Sequence, residues 1–120
     1  MPWWWPFGER SKQRIAVARV LEEVKSIIDH IKTKDEEEDV GEFRKYAEVA
    51  HGKIKNIHDS IETDGATFDL DQKEREIMKS LFYGTEDLVR YSERYYWERE
   101  LIQNVIIGIE EDIRDLLKRL

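Results

Sequence analysis

Ionisable side chains recur at helical spacing along residues 48–62. Glu48 and His51 form a Glu-x-x-His pair, the spacing by which ferritin-like bundles direct a carboxylate and an imidazole toward a di-iron centre. Such a centre needs two of these pairs, and the chain contains one. The sequence therefore allows a metal site, for iron, manganese or zinc, only where an oligomer supplies the second copy. The full stripe consists of Glu48, His51, Lys55, His58 and Glu62.

The same stripe has a second interpretation, as the solvated flank of a helix. His58 and Glu62 stand four residues apart, and ion pairs at this spacing stabilise exposed helices. This interpretation needs no cofactor, and it is the one we favour. If the stripe instead lies in an interface, His51, His58 and Glu62 predict an assembly that is sensitive to pH between about 5 and 7.

One short motif on this segment resembles that of a known enzyme family. Arg44 and His51, with six residues between them, are similar to the Arg-x(4–6)-His motif of the HEPN ribonucleases, helical proteins that pair two motifs across a dimer. Lys45 stands where that family usually has a small polar residue. The resemblance covers eight residues, and we assign no family from it.

The N-terminus combines aromatic and basic side chains. Tryptophan is amphipathic and prefers membrane–water interfaces and the centres of protein interfaces, and basic residues beside it attract anionic headgroups. We therefore predict an extended arm, residues 1–8, that docks to a partner protein, a sister subunit or an anionic membrane surface. The alternative is that the arm packs on its own bundle. The residues concerned are Trp3, Trp4, Trp5, Phe7, Arg10, Lys12 and Arg14.

The composition excludes several classes of protein. The chain has 120 residues and no cysteine, which excludes disulfides, cysteine zinc sites and thiol catalysis. No stretch approaches the roughly 20 apolar residues of a spanning helix, and the first residues lack the features of a signal peptide. These features predict a cytoplasmic protein, with peripheral attachment to a membrane as the alternative.

The net charge of −7 is unevenly distributed. Residues 1–34 hold seven basic and four acidic side chains, a net charge of +3, whereas residues 35–120 hold 13 basic and 23 acidic ones, a net charge of −10. Nucleic-acid binding depends on basic groups that displace phosphate counterions. The charge therefore argues against nucleic acid as a partner of the main body.

Apolar residues recur at spacings of three and four, which predicts amphipathic helices over about 11–33 and 40–62. Asp71 and Glu74 have the form of a capping box that begins a third helix. Beyond it the pattern allows two interpretations: helices over about 71–83 and 85–119 with a break at Gly84, or one continuous helix. The seams are Val17, Leu21, Val24, Ile28 and Ile31; Val40, Phe43, Ala47, Ala50, Ile54, Ile57 and Ile61; Ile77, Leu81, Leu88, Tyr91 and Tyr95; and Ile102, Ile106, Ile109, Ile113, Leu116 and Leu120.

These patterns predict an all-α fold, an antiparallel bundle of three to four helices in one domain over residues 9–120. The length of the C-terminal seam predicts a homo-oligomer. The isolated glycines form no phosphate loop, and the serines follow no nucleophile pattern. The sequence therefore favours a non-enzymatic interaction or scaffold protein, with the metal-binding bundle as the alternative.

Overall fold

A computed structural model describes residues 5–33, 40–92 and 99–120, with side chains outside the description at 5–11 and at Val40. This part of the chain forms four α-helices and no strand, which confirms the predicted all-α bundle. None of these helices is both long and apolar enough to cross a membrane. The helices are α1 Trp5–Thr33, α2 Val40–Asp64, α3 Gln72–Ser92 and α4 Arg99–Arg119, with a short 3₁₀ turn at Gly65–Thr67.

Consecutive helices pack side by side in opposite directions. The Lys53 ammonium of α2 lies 2.7 Å from the Glu23 carboxylate of α1, and the Ser80 hydroxyl of α3 donates to Asp112 of α4 at 2.6 Å. α1 and α4 also contact each other, and Lys32 pairs with Glu110 at 3.1 Å. The described residues form an elongated bundle with extents of 58 × 22 × 19 Å.

The core of the bundle is formed by the predicted seams. All five seam residues of α1 are buried, as are those of α2 from Phe43 onward and those of α4 as far as Leu116. Ala47 and Ala50 are fully buried, and their small side chains let α2 approach its neighbours closely. In α3, Ile77, Leu81 and Leu88 are buried and Tyr91 is partly buried. The predictions for the side chains of Val40 and Tyr95 lie outside the described residues. Hydrophobic periodicity therefore identified the buried faces of the helices where the structure describes them.

The N-terminal arm was predicted to be extended as far as residue 8, and this part of the prediction is wrong for residues 5–8. α1 begins at Trp5, so the backbone from there onward is helical. Pro6 falls in the first turn, and the fixed φ angle of proline suits a helix there. Backbone N–H groups in the first turn have no acceptor within the helix, so the lack of an N–H in proline breaks no hydrogen bond. The prediction for residues 1–4 lies outside the described residues.

The predicted helix break at Gly84 is also wrong, because α3 continues through this residue to Ser92. A Cβ atom built on Gly84 would lie 3.1 Å from Cγ1 of Ile109. The glycine therefore allows close packing of α3 on α4 instead of ending a helix. A single helix across both segments is excluded as well, since α3 and α4 pack against each other.

The connection between α2 and α3 is held by side chains. Asp71 Oδ1 accepts from the Glu74 backbone N–H at 2.8 Å, and Glu74 Oε1 accepts from the Asp71 N–H at 2.9 Å, which confirms the predicted capping box. The Arg75 guanidinium donates to three backbone carbonyls of the connection, those of Gly65, Phe68 and Leu70. Gly65 has a φ of 57°, which glycine adopts without strain.

Candidate functional site

The structure describes only part of the predicted docking set. Trp3 and Trp4 lie outside the described residues, and for Trp5, Phe7 and Arg10 the structure gives the helical backbone alone. Among the remaining members, the side chain of Lys12 is exposed and that of Arg14 is partly buried. Arg14 is therefore the first member of the set whose side-chain contacts the structure shows.

Arg14 anchors α1 to the start of α3. Its Nη1 donates to Glu74 Oε1 at 2.9 Å and its Nη2 to Oε2 at 2.7 Å, which is the paired geometry that suits a guanidinium and a carboxylate. Glu74 is only 1% exposed. Arg14 also donates to the backbone carbonyls of Asp69 and Arg119. One side chain therefore joins α1, the α2–α3 connection, α3 and the end of α4.

The two members of this ion pair stabilise each other's charged form. The hydrogen bonds from Arg14 lower the pKa of Glu74, and they outweigh burial, which acts in the opposite direction. The bond to Glu74 correspondingly raises the pKa of Arg14. Because a buried carboxylate without a partner is strongly disfavoured, the two side chains fix each other's position.

An open polar cleft of about 720 Å³ lies at this end of the bundle. Gln13 and Arg14 form one wall, and the backbone from Ala66 to Asp71 forms the other. The Gln13 carbonyl accepts from the Asp69 backbone N–H at 2.7 Å, which ties the two walls together. The polar groups of the cleft thus hold α1 in place, and we call the Arg14–Glu74 pair with its backbone contacts the anchor.

The residues of the Glu-x-x-His pair face different partners. Glu48 is exposed and pairs with Arg44 at 3.1 Å, whereas His51 contacts Thr85 of α3. The part of the chain that the structure describes contains no group of three or more His, Asp or Glu side chains able to hold a metal ion. The geometry of these residues gives the metal-binding alternative no support.

His51 is hydrogen-bonded to α3. Its Nδ1 lies 2.9 Å from Thr85 Oγ1. The Thr85 hydroxyl also lies 2.9 Å from the Leu81 carbonyl, an acceptor within the same helix. When the hydroxyl donates to Leu81, its oxygen accepts from Nδ1–H of the imidazole. Burial lowers the pKa of His51, and the nearby Glu86 offsets this only in part.

We expect an NMR titration of the ring protons to give His51 a pKa below its ordinary value of 6.5. As the pH falls below about 6.5, the unfolded chain then binds a proton at His51 more readily than the folded chain does. The stability that the neutral His51 contributes above this pH is therefore lost as the pH falls. Urea unfolding from pH 7 down to about pH 5 measures this loss, which should be smaller in His51→Gln. A His51 pKa at or above 6.5 would contradict the burial argument.

His58 lies against the same aromatic ring as His51. Its imidazole stacks on Phe82, with centroids 4.2 Å apart and planes at 16°, while the His51 ring lies 5.1 Å from Phe82. The Nδ1 of His58 is 3.6 Å from the Asp59 carboxylate, and its Nε2 is 3.8 Å from that of Glu62. The two histidines therefore belong to the packing of α2 on α3 within the chain.

Sequence reasoning missed Phe82, Thr85 and Arg75, and it did not pair Arg14 with Glu74. The capping-box pattern indicated Glu74, but no signal in the sequence links it to a residue 60 positions earlier. Comparison of the chain with protein-family models, with curated proteins and with solved structures finds no significant match.

Proposed function

We propose that this protein is a non-enzymatic helical interaction module. The bundle serves as a scaffold, and the N-terminal aromatic segment, residues 2–7, docks to a partner. Trp3, Trp4, Trp5 and Phe7 supply the apolar contacts, and Arg10 and Lys12 follow them with positive charge. Arg14, which also belongs to the predicted set, is bound to Glu74 within the bundle.

The position of the Arg14–Glu74 anchor, at one end of the bundle, carries this proposal. Arg14 hydrogen-bonds the carbonyl of Arg119, the last residue of α4. α1 and α4 run in opposite directions, so the backbone of residues 5–13 continues past the end of α4. A helical segment that begins beyond the bundle and is fixed at its base is well placed to reach a partner.

The pattern of α1 supports the same conclusion. The buried apolar seam of this helix starts at Val17. The next two seam positions toward the N-terminus, at spacings of three and four, are occupied by Arg14 and Arg10. Arginines at two successive seam positions cannot extend an apolar core. The core of the bundle therefore ends before the aromatic segment begins.

The fluorescence of the N-terminal tryptophans tests whether the segment is available for docking. The fourth tryptophan is Trp97, so Trp97→Phe leaves emission from Trp3, Trp4 and Trp5 alone. We expect red-shifted emission typical of rings in water, with strong quenching by acrylamide. We also expect deletion of residues 2–7 to leave the free energy of unfolding of the bundle nearly unchanged.

Two results would overturn this proposal. Blue-shifted, protected emission at low protein concentration would place the rings in the protein's own core. A large loss of stability on deletion of residues 2–7 would lead to the same conclusion. Sedimentation at several concentrations shows whether a sister subunit is the partner, since an oligomer that is lost on the deletion is held together by this segment.

A further inference from the structure

The outward face of α1 next to the aromatic segment combines basic and apolar side chains. Lys12, Ile15 and Arg19 are all exposed, at spacings of three and four residues, so they form one stripe on the helix. Neither Lys12 nor Arg19 makes a hydrogen bond or an ion pair with a side chain that the structure describes. We call these three residues the α1 docking face.

The docking face extends along α1 to position 5, which belongs to the aromatic segment. Position 5 precedes Lys12 by seven residues, and Lys12 precedes Arg19 by seven, so all three positions lie within one sector of α1. The backbone is helical from Trp5 through this whole stretch. Position 5 and the docking face can therefore meet the same flat surface.

We propose that this surface is an anionic lipid bilayer, and the inference rests on the docking role proposed above. Tryptophans are enriched at the level of the headgroups, and an exposed isoleucine between two cations is the composition of a helix that lies in that interface. Residues 1–34 carry +3 and the remaining residues −10. An anionic bilayer therefore attracts this end of α1 and repels the rest of the bundle, which orients α1 along the surface.

A second copy of the chain fits the segment less well. The other exposed large apolar side chains are Val49 on α2, Tyr83 on α3, and Leu101 and Ile107 on α4. These side chains lie one or two to a helix, and none of them lies on α1 beside the docking face. A bilayer provides an apolar surface for four aromatic rings without any complementary pocket.

Binding of the Trp97→Phe protein to vesicles tests the inference. Vesicles that contain phosphatidylserine should cause a blue shift and cosediment with the protein, vesicles of phosphatidylcholine alone should not, and added salt should weaken the binding. Lys12→Glu/Arg19→Glu should weaken it by roughly 30-fold or more, at about 1 kcal/mol for each lost cation. The matched control, Lys45→Glu/Lys79→Glu, makes the same change of charge at exposed sites on α2 and α3 and should bind like the parent.

A second matched pair tests the apolar part of the face. Ile15 is 54% exposed and Ile107 on α4 is 53% exposed. Ile15→Ser should weaken vesicle binding by roughly tenfold, the effect of returning one aliphatic side chain to water. Ile107→Ser should leave the binding unchanged.

The outcomes separate this inference from the proposed function. If the tryptophans are exposed in solution but the protein does not prefer anionic vesicles, the bilayer is wrong and the docking role stands. An oligomer that is lost on deletion of residues 2–7 without vesicle binding assigns the segment to a second copy, which also overturns the inference. Protected tryptophans in the monomeric protein overturn both.

Discussion

Glu74→Ala should lower the free energy of unfolding by about 2–3 kcal/mol, because it removes charge-assisted hydrogen bonds made by a buried carboxylate. Glu74 is 1% exposed and bonds both terminal nitrogens of the Arg14 guanidinium. The substitution also removes the acceptor of the Asp71 backbone N–H at the start of α3. We therefore expect it to be among the most damaging single substitutions in the chain, although it removes no apolar contact.

Chemical denaturation followed by circular dichroism measures this loss. Glu76→Ala is the matched control, because Glu76 is an exposed glutamate two residues along the same helix. The control should stay within about 0.5 kcal/mol of the parent protein. If Glu74→Ala and Glu76→Ala were equally mild, the ion pair would be no more than a surface contact.

The pH dependence of the same pair has a definite sign. The pKa of Glu74 is lowered in the folded protein, chiefly by its hydrogen bonds to Arg14. Its contribution is therefore fully present above its ordinary pKa of about 4.5 and is lost as the pH falls through the lower folded value. The difference in stability between the parent and Glu74→Ala should accordingly shrink in acid.

The anchor links the stability of the bundle to the position of the aromatic segment. Arg14 is the first residue of α1 for which the structure gives contacts to α3 and to the end of α4. Without Glu74, the base of the segment would keep only the bonds of Arg14 to the Asp69 and Arg119 carbonyls and the bond between Gln13 and Asp69. The seam from Val17 onward would stay in place, so Glu74→Ala should weaken docking while the helical content stays nearly unchanged.

Local periodicity explains how much of the fold was predictable. An apolar seam depends only on the spacing of residues within one helix, so the buried faces of α1, α2 and α4 could be identified residue by residue. The capping box at Asp71 and Glu74 is equally local. Contacts between helices are not encoded in this way, which is why the bond between Arg14 and Glu74, or between His51 and Thr85, could not be read from spacing.

Gly84 shows why a local rule can fail. Glycine is a common residue at helix ends and Thr85 is a good capping residue, so the sequence allowed a break here as one of two interpretations. In the structure, Gly84 packs closely on Ile109 of α4, and the Thr85 hydroxyl bonds the Leu81 carbonyl within α3. Tertiary packing, which the local pattern does not contain, decided the outcome.

The continuity of α3 leads to a second prediction of large effect. Leu81 and Leu88 stand seven residues apart on either side of Gly84, and both are fully buried. Leu81→Ala and Leu88→Ala should each lower the free energy of unfolding by about 2–5 kcal/mol, because each leaves a cavity in the same core. Tyr83→Ala, at a site that is 52% exposed, should change it by less than about 0.5 kcal/mol.

Urea denaturation of the three variants measures these effects. If the slope of the free energy of unfolding against urea concentration is unchanged, unfolding remains one cooperative step. Comparable losses at the two positions are the expected result, because both leucines are fully buried in the same core on either side of Gly84. A loss of less than about 0.5 kcal/mol for Leu88→Ala would contradict this burial. Comparable losses would also tie the end of α3 near Ser92 to the same cooperative unit as the Arg14–Glu74 anchor at its start.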